Sequence, residues 1–179
     1  NSGVGVPHLS RCPGAPNGTW TEQTTGLSAG GIWGGDFDGD TVVFAGASND
    51  DFGSSRDGKI IWSDDDGATW NVNSFSGSGG FRDIAYDQSG VWVAVGGGGT
   101  IYSSTDPTSG TWTARTSGTS NELYGVAWDS TAGEFVAVGA NKTMLSSSNG
   151  TSWSAITVPS GPGSSASFLS VCSNGYPAV

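Results

Sequence analysis

Positive charge is scarce in this chain. Six Lys and Arg stand against sixteen Asp and Glu, a formal net charge of −10 over 179 residues. A phosphate backbone is held by clustered cations, so nucleic acid and anionic membrane surfaces are poor partners. Histidine is rarer still, with His8 alone. A lone imidazole supports neither a multi-His metal site nor a Ser–His pair; beside Pro7 it reads as part of a weak strand. No apolar run approaches the ~20 residues of a membrane-spanning helix. Neither a signal peptide nor a useful stretch of helical periodicity is present. The first residue is Asn1, not Met, which points to a processed product or an excerpt of something longer. Cysteine is limited to Cys12 and Cys172, near opposite ends. A disulfide would suit an extracellular protein whose ends meet. Two buried free thiols are the other reading, and spacing does not choose between them.

Glycine, serine, threonine and tryptophan are plentiful. Gly supplies 31 residues and Trp eight. The apolar residues fall in short runs, which favours a packed β-protein over disorder. Four tryptophans close four copies of one pattern: Trp20, Trp70, Trp112 and Trp153. Their steps are 50, 42 and 41 residues, inside the period of a four-stranded propeller blade. Each copy aligns as strand, Asp-bearing turn, strand, strand, hairpin, Trp and strand. Second strands read Val42–Gly46, Trp92–Gly96 and Phe135–Gly139. Third strands read Lys59–Ser63, Thr100–Ser103 and Thr143–Ser146.

The repeats run roughly over 23–72, 79–115 and 121–157, with a fourth from 167–179 joined to 1–22. The chain stops after a second strand and starts with residues that match a third. Joined, the ends make one blade, as when a split blade closes a ring and removes exposed sheet edges. The expected fold is all-β: one propeller domain of about four antiparallel four-stranded blades, one shared between the termini. Two alternatives stand beside it. One reads the chain as cut from a longer array; the other reads its split blade as completed by a neighbouring subunit, giving a filament or ring.

The segment Ser63-Asp64-Asp65-Asp66-Gly67-Ala68-Thr69-Trp70 resembles the Asp-box, or bacterial neuraminidase repeat, Ser-x-Asp-x-Gly-x-Thr-Trp. Ser63, Asp65, Gly67, Thr69 and Trp70 match every pattern position. Ser146–Trp153 is a degraded copy with Ser148 in the Asp place, Ser103–Trp112 carries a two-residue insertion, and Asn-Gly-Thr remains before Trp20. The resemblance implies a propeller whose boxes are structural hairpins, lying away from the ligand face. It covers sialidases, other glycosidases, lectins, photosystem assembly factors, sortilin-type receptors and phage tail proteins. A sialidase needs an arginine triad, a Tyr–Glu nucleophile pair and an acid/base Asp. Arg82, Asp83, Glu122 and Tyr124 assemble only part of that, while Arg11 and Arg115 fall at hairpin or edge positions.

Other candidates come from the repeat's irregularities. Asp36, Asp38 and Asp40 alternate around Gly39 as in a calcium loop, although the downstream bidentate carboxylate is missing. Residues 49–57 insert an acidic loop between the second and third strands, where binding surfaces often lie; a solvated loop is the plainer reading. Trp33 aligns with Ala85, Ala127 and Cys172, either filling the centre of the ring or offering a platform for a sugar. Asn17, Asn141 and Asn149 head glycosylation sequons. Together these point to a non-catalytic extracellular or virion-surface module, structural or adhesive, that assembles through its split blade and has other protein subunits as partners. A lectin-like module binding a cell-surface glycan through Trp33, Arg82, Asp83, Asn121, Glu122 and Tyr124 is the alternative. A glycosidase is the third reading. Calcium is the one candidate cofactor.

Overall fold

Short β-branched and aromatic runs broken by Gly, Asp and Ser form strands joined by tight turns. The computed structural model describes residues 8–11, 21–25, 27, 30–48, 56–158 and 166–172. Its strands are β1 (His8–Arg11), β2 (Thr21–Thr24), β3 (Gly31–Phe37), β4 (Val42–Ala47), β5 (Gly58–Ser63), β6 (Asn71–Phe75), β7 (Phe81–Tyr86), β8 (Trp92–Gly96), β9 (Ile101–Ser104), β10 (Thr113–Arg115), β11 (Leu123–Asp129), β12 (Glu134–Gly139), β13 (Met144–Ser147) and β14 (Ser154–Ala155). They form three antiparallel four-stranded sheets, β3 to β6, β7 to β10 and β11 to β14, plus a β1–β2 hairpin. Each sheet is ordered as in the chain, so each is a blade. The expected all-β fold of four-stranded blades is present.

The hairpin His8–Arg11 with Thr21–Thr24 pairs residues expected to be third and fourth strands of the split blade. Trp20, Cys12, Asn17, most of the 49–57 insertion and the strand expected at 176–179 lie outside the described residues. Cys172 is exposed and carries a free thiol, so neither burial nor a bond is seen at that position.

Blades pack face to face, and the period-2 alternation of each middle strand decides what goes where. In β8 all five residues are buried. Trp92 and Ala94 join Val43, Ala45, Ile60 and Phe81 between the first and second blades. Val93 and Val95 join Leu123, Val126, Phe135 and Leu145 between the second and third. A strand with apolar neighbours on both sides is continuously hydrophobic, hence Trp92-Val-Ala-Val. Full burial of each large side chain here stabilises by about 2–3 kcal/mol.

The first strands β3, β7 and β11 lie side by side around the centre, and each carries a bulge near its start. The register slips between Ile32 and Gly34, Phe81 and Asp83, and Leu123 and Gly125. The extra residue is Trp33, Arg82 and Tyr124 respectively. Opposite stand Gly46, Gly96 and Gly139. A Cβ on these would lie 2.3, 2.0 and 2.0 Å from the carbonyl oxygens of Gly31, Gly80 and Glu122. These glycines are required for space, since Gly96 is extended at φ −171°. The recurring Gly that ends each second strand is therefore the partner of the bulge.

This register corrects the sequence alignment. Gly34, Asp83 and Gly125 are equivalent, so Trp33 corresponds to Arg82 and Tyr124, not to Ala85, Ala127 and Cys172. The first turns differ in length by one or two residues, and the sequence alignment set the first blade's opening strand three residues out of register.

The hairpins after the third strands are corrected too. Ser63, Ser104 and Ser147 hold equivalent register positions opposite Val42, Trp92 and Phe135. Ser63 Oγ accepts from Gly67 N at 2.8 Å, and Asp65 accepts from Thr69 N and Thr69 Oγ1 at 2.8 and 2.7 Å. Asp106 accepts from Thr108 N and Ser109 N in the second blade. In the third, Asn149, not Ser148, takes the role, accepting from Thr151 N, Thr151 Oγ1 and Ser152 N. The second copy is thus one residue longer than the first, not two, and the third one shorter. Trp70 packs on Phe44, with centroids 5.5 Å apart; Trp112 is buried; Trp153 lies 6.4 Å from Phe135.

Two outcomes follow. Gly96→Ala, or Gly139→Ala, forces the bulge carbonyl aside and lowers unfolding stability by about 1–3 kcal/mol in denaturant titration. Hydrogen bonds from Thr69 hold the Asp65 carboxyl at about 2, below its usual 3.8. A lowered carboxyl stabilises the fold above its unfolded pKa, and that contribution is lost as pH falls from 3.8 toward 2. Asp65→Asn removes this acid-dependent component, and the protein still folds because Asn149 already serves in the third blade. Acid unfolding followed by circular dichroism, wild type against variant, reads the difference.

Candidate functional site

A bulge adds a residue without a ladder partner and re-aims its side chain. Here three bulges at equivalent positions send Trp33, Arg82 and Tyr124 to one end of the central strands. The Arg82 guanidinium lies over the Trp33 ring, 5.1 Å from its centroid. Its Nη2 is 3.5 Å from Glu122 Oε1. Tyr124 Oη donates to Glu122 Oε2 at 2.9 Å. One carboxylate thus ties together the side chains from the second and third blades, and the cation joins them to the first. Arg82 is 7% exposed, while Trp33 keeps 41% of its surface in solvent. A buried cation held by one carboxylate and one aromatic face is positioned rigidly; the indole beside it is left open.

Asn121 extends this face. Its Nδ2 donates to Thr143 Oγ1 at 2.8 Å, and its Oδ1 accepts from Asn141 Nδ2 at 3.0 Å. Asn121 and Glu122 precede β11, while Asn141 sits on the 3₁₀ turn Ala140–Lys142 with φ 52°. The third blade's loop between its second and third strands therefore flanks the same mouth. Five of the six expected ligand residues gather here.

Asp83 does not. Its Oδ1 accepts from Ile84 N at 2.9 Å and its Oδ2 from Val126 N on the next blade at 3.0 Å. Its carboxylate occupies the space over Gly34, where a Cβ would lie 2.2 Å from Oδ1. It pins adjacent first strands together. Burial raises its pKa, opposed by the two amides that it accepts.

The carboxylates expected as a calcium loop are likewise engaged separately. Asp36 Oδ2 accepts from Tyr86 N at 2.8 Å and Oδ1 from Phe37 N at 2.8 Å. Asp38 Oδ1 closes its own turn on Asp40 N and Thr41 N at 3.0 and 2.7 Å. Asp36, Asp38 and Asp40 therefore do not come together: among the described residues no three or more His, Cys, Asp or Glu are grouped to hold a metal ion. The physical reason is that the strand ends at Phe37: Asp36 lies on it, turned to the next blade, while Asp38 and Asp40 belong to the turn, where Asp38 accepts the turn's own amides.

Of the other arginines considered for a sialidase triad, the side chain of Arg11 lies outside the described residues. Arg115 Nε donates to Ser103 Oγ at 2.8 Å on the outer strand β10, and Arg56 is buried before β5. Arg82 is the arginine seen to contact Glu122 and the Trp33 ring at this mouth among the described residues.

Sequence reasoning missed a second set of equivalent residues. Phe37, Tyr86 and Trp128 occupy the same register near the ends of β3, β7 and β11. They line a cavity at the other end of the central strands. The distance back from Gly46, Gly96 and Gly139 to either set grows by one residue from blade to blade because the first turns lengthen, so no fixed spacing in the sequence marks them.

The comparisons with known proteins concern the fold. No protein-family profile matches the chain, and no curated protein matches its sequence. Among solved structures it is similar to YCF48 bound to D1 peptide, at a TM-score of 0.57 and 18% identity, covering 88% of this chain and 52% of that one. It is also similar to the GH74 enzyme of Niastella koreensis, at a TM-score of 0.53 and 20% identity, covering 84% of this chain and 23% of that one. The chain is an all-β protein built from propeller blades. It spans about half the length of the first structure and about a quarter of the second.

Glu122 governs the proton on its neighbour. The hydrogen bond that Tyr124 gives Glu122 raises the phenol's pKa above its usual 10, and burial adds to this. Glu122→Gln removes the negative acceptor and brings the phenol back down, a shift readable by ultraviolet titration of the wild type, Glu122→Gln and Tyr124→Phe. If the titration of Tyr124 stays in place in Glu122→Gln, the 2.9 Å contact does not control it.

Proposed function

We propose that this chain is a non-catalytic propeller module of the Asp-box kind, exposed outside the cell or on a virion, that binds a partner through the mouth formed by Trp33, Arg82, Glu122 and Tyr124. One observation carries the reading: a single backbone position, repeated in three blades, holds three different large side chains that meet at one end. Structural demand repeats a residue from blade to blade, as with Gly46, Gly96 and Gly139. Divergence at a convergent position favours recognition. The partner class favoured is a protein or peptide. The solved structure of YCF48 is with a D1 peptide, and a propeller of that kind offers a precedent for peptide binding.

The chemistry at the mouth supports binding over hydrolysis. Tyr124 and Glu122 are paired, but among the described residues one arginine, Arg82, is seen with them, too few for the carboxylate grip of a sialidase. Asp83, the candidate acid, holds two backbone amides away from the mouth. A glycan is the second reading, favoured by the open Trp33 ring beside the Asn121 and Asn141 amides, since aromatic faces stack on sugars and amides bond hydroxyls. Assembly through the split blade is a further part of the proposal, motivated by the pairing of His8–Arg11 with Thr21–Thr24.

The deciding experiment screens peptide and glycan arrays with the wild type and with Trp33→Ala. Trp33 is largely exposed, so Trp33→Ala keeps the melting temperature while weakening a ligand at the mouth by roughly 30-fold or more, as loss of an aromatic anchor does. Peptide signals that vanish in Trp33→Ala support the reading, and glycan signals that vanish support its alternative. Signals unchanged in Trp33→Ala and Arg82→Ala move recognition elsewhere. Turnover of a fluorogenic sialoside, lost in Tyr124→Phe, overturns the non-catalytic claim.

A further inference from the structure

Two connections between second and third strands share one backbone and differ in residues. In the second blade the 3₁₀ turn is Gly97–Gly99, in the third Ala140–Lys142. Both follow an extended glycine, Gly96 at φ −171° and Gly139 at φ −170°. Both end on a Thr whose N–H donates to the turn's first carbonyl. The last two residues of each turn are left-handed: Gly98 and Gly99 at φ 65° and 76°, Asn141 and Lys142 at 52° and 58°. Glycine takes this conformation freely, whereas lysine does so at a cost. At Gly99 a Cβ would lie 2.2 Å from the carbonyl oxygen of Thr119, so the second blade leaves no room for a side chain there. The third blade makes that room and places Lys142 in it. Strain retained at one repeat of a shared turn marks a side chain kept for use. Asn141 serves Asn121. Lys142 lines a cavity of about 360 Å³ with Ser117, Thr119, Thr143, Met144 and Ile156 among others.

One residue sets the polar atoms of this cavity as donors. Asn121 N donates to Thr119 Oγ1 at 3.1 Å, and Asn121 Nδ2 donates to Thr143 Oγ1 at 2.8 Å. A hydroxyl has one proton to give, and each of these, already accepting, is left to give it. Two threonine O–H groups and the three-donor ammonium of Lys142 therefore line one space. Among the described residues no Asp or Glu lines it. Met144, Ala155 and Ile156 supply an apolar wall, while Leu145 and Trp153 belong to the core behind it. A metal ion would meet no carboxylate here, and an organic cation would meet a like charge. A carboxylate accepts several donors at once and forms charge-assisted bonds to an ammonium. We propose that this cavity binds a carboxylate joined to an apolar group, carried by a small acid or by the chain end of a peptide. Lys142 and the hydroxyls of Thr119 and Thr143 hold the carboxylate, and Met144 and Ile156 contact the apolar group. Asn121 is a positioning residue. The assignment shares only Asn121 with the mouth and does not depend on what the mouth binds.

Calorimetric titration of the intact chain tests this with four probes: 4-methylpentanoate, its neutral amide, Nα-acetyl-leucine and inorganic phosphate. At least one of the two acids binds in the millimolar range or tighter, and the neutral amide binds about tenfold more weakly. Nα-acetyl-leucine binding more tightly than 4-methylpentanoate identifies a peptide chain end; the reverse order identifies a small acid. Lys142→Gly gives the third blade the residue that the second already has at this position. It weakens the acids about tenfold or more, while the melting temperature holds or rises by about 2–4 °C as the strain is released. Thr143→Val removes one O–H donor and weakens the acids about fivefold, with little effect on the amide. Lys59→Ala, which removes a cation bonded to Ser74 on the first blade, leaves affinity unchanged. Five results overturn the proposal: neither acid binds, the amide binds as tightly as the acid, phosphate displaces the acid at equal concentration, Lys142→Gly retains full affinity or melts several degrees lower, or Lys59→Ala weakens binding as much as Lys142→Gly.

Discussion

The bulge near the start of each central strand is the constraint on which the rest of the molecule depends. One extra residue in β3, β7 and β11 pushes a carbonyl over the facing second strand, and only glycine leaves room beneath it. A Cβ at Gly96 would lie 2.0 Å from the carbonyl oxygen of Gly80, and Gly139 meets the same limit under Glu122. From that register everything downstream is set. The bulged side chains turn to the mouth, the next residue meets the adjacent blade, and the aromatic near the end of the strand reaches the far cavity. A one-residue slip would exchange these assignments, because side chains alternate along a strand.

Central strands are also sheet edges, and edges have unpaired amides. In a ring of blades these amides face the neighbouring blade, where an unsatisfied donor is costly. Asp36 and Asp83 answer this by accepting Tyr86 N and Val126 N across the blade boundary. In the third blade the position equivalent to Asp83 is Gly125, and the approach there is made by backbone: a Cβ on Gly125 would lie 3.2 Å from Val171 N. The carboxylates replace a hydrogen-bonded strand pair between blades with a side-chain staple. Their charge accumulates at one end of the centre, whereas at the mouth Arg82 and Glu122 offset each other. The two ends of the central strands therefore differ in field, although they are built from the same three strands.

How much of this is legible in the sequence follows from which signals have a fixed period. The second strands carry invariant-looking Val-Gly or Ala-Gly endings at Gly46, Gly96 and Gly139, and blade number and strand order are readable from them. The hairpins have variable length. Alignment on Trp70, Trp112 and Trp153 therefore slid the third strands by one residue, so that Ser148 stood where Asn149 accepts Thr151 N. The first turns vary as well, and Trp33 fell beside Ala85 instead of Arg82. The cluster of Arg82, Glu122 and Tyr124 was still found, because those residues are near in sequence and chemically distinctive. Joining Trp33 to them depended on a long-range register that local pattern does not contain. The acidic run at Asp36, Asp38 and Asp40 misled for a related reason. Carboxylate spacing resembles a cation loop whether the groups converge or serve separate amides, and here the strand ends between Asp36 and Asp38, so that each serves its own amides.

Comparison among the blades separates what architecture requires from what it leaves open. Ser63, Ser104 and Ser147 recur because each hairpin must satisfy its own amides; Asp65, Asp106 and Asn149 recur because one acceptor can close such a turn. An aromatic recurs as Phe37, Tyr86 and Trp128 at the far end of the central strands. At the bulge nothing recurs: Trp33, Arg82 and Tyr124 share a backbone position and differ in charge, shape and hydrogen bonding. The geometry there holds side chains that differ in environment as well: Trp33 is largely open to solvent, while Arg82 is buried between the Trp33 ring and Glu122. Their mutual contacts arise from where the backbone aims them, which makes this the position at which a propeller can change its ligand without changing its fold. Variation at the bulge alters recognition at the mouth, while substitution at Gly46, Gly96 or Gly139 alters the blade itself.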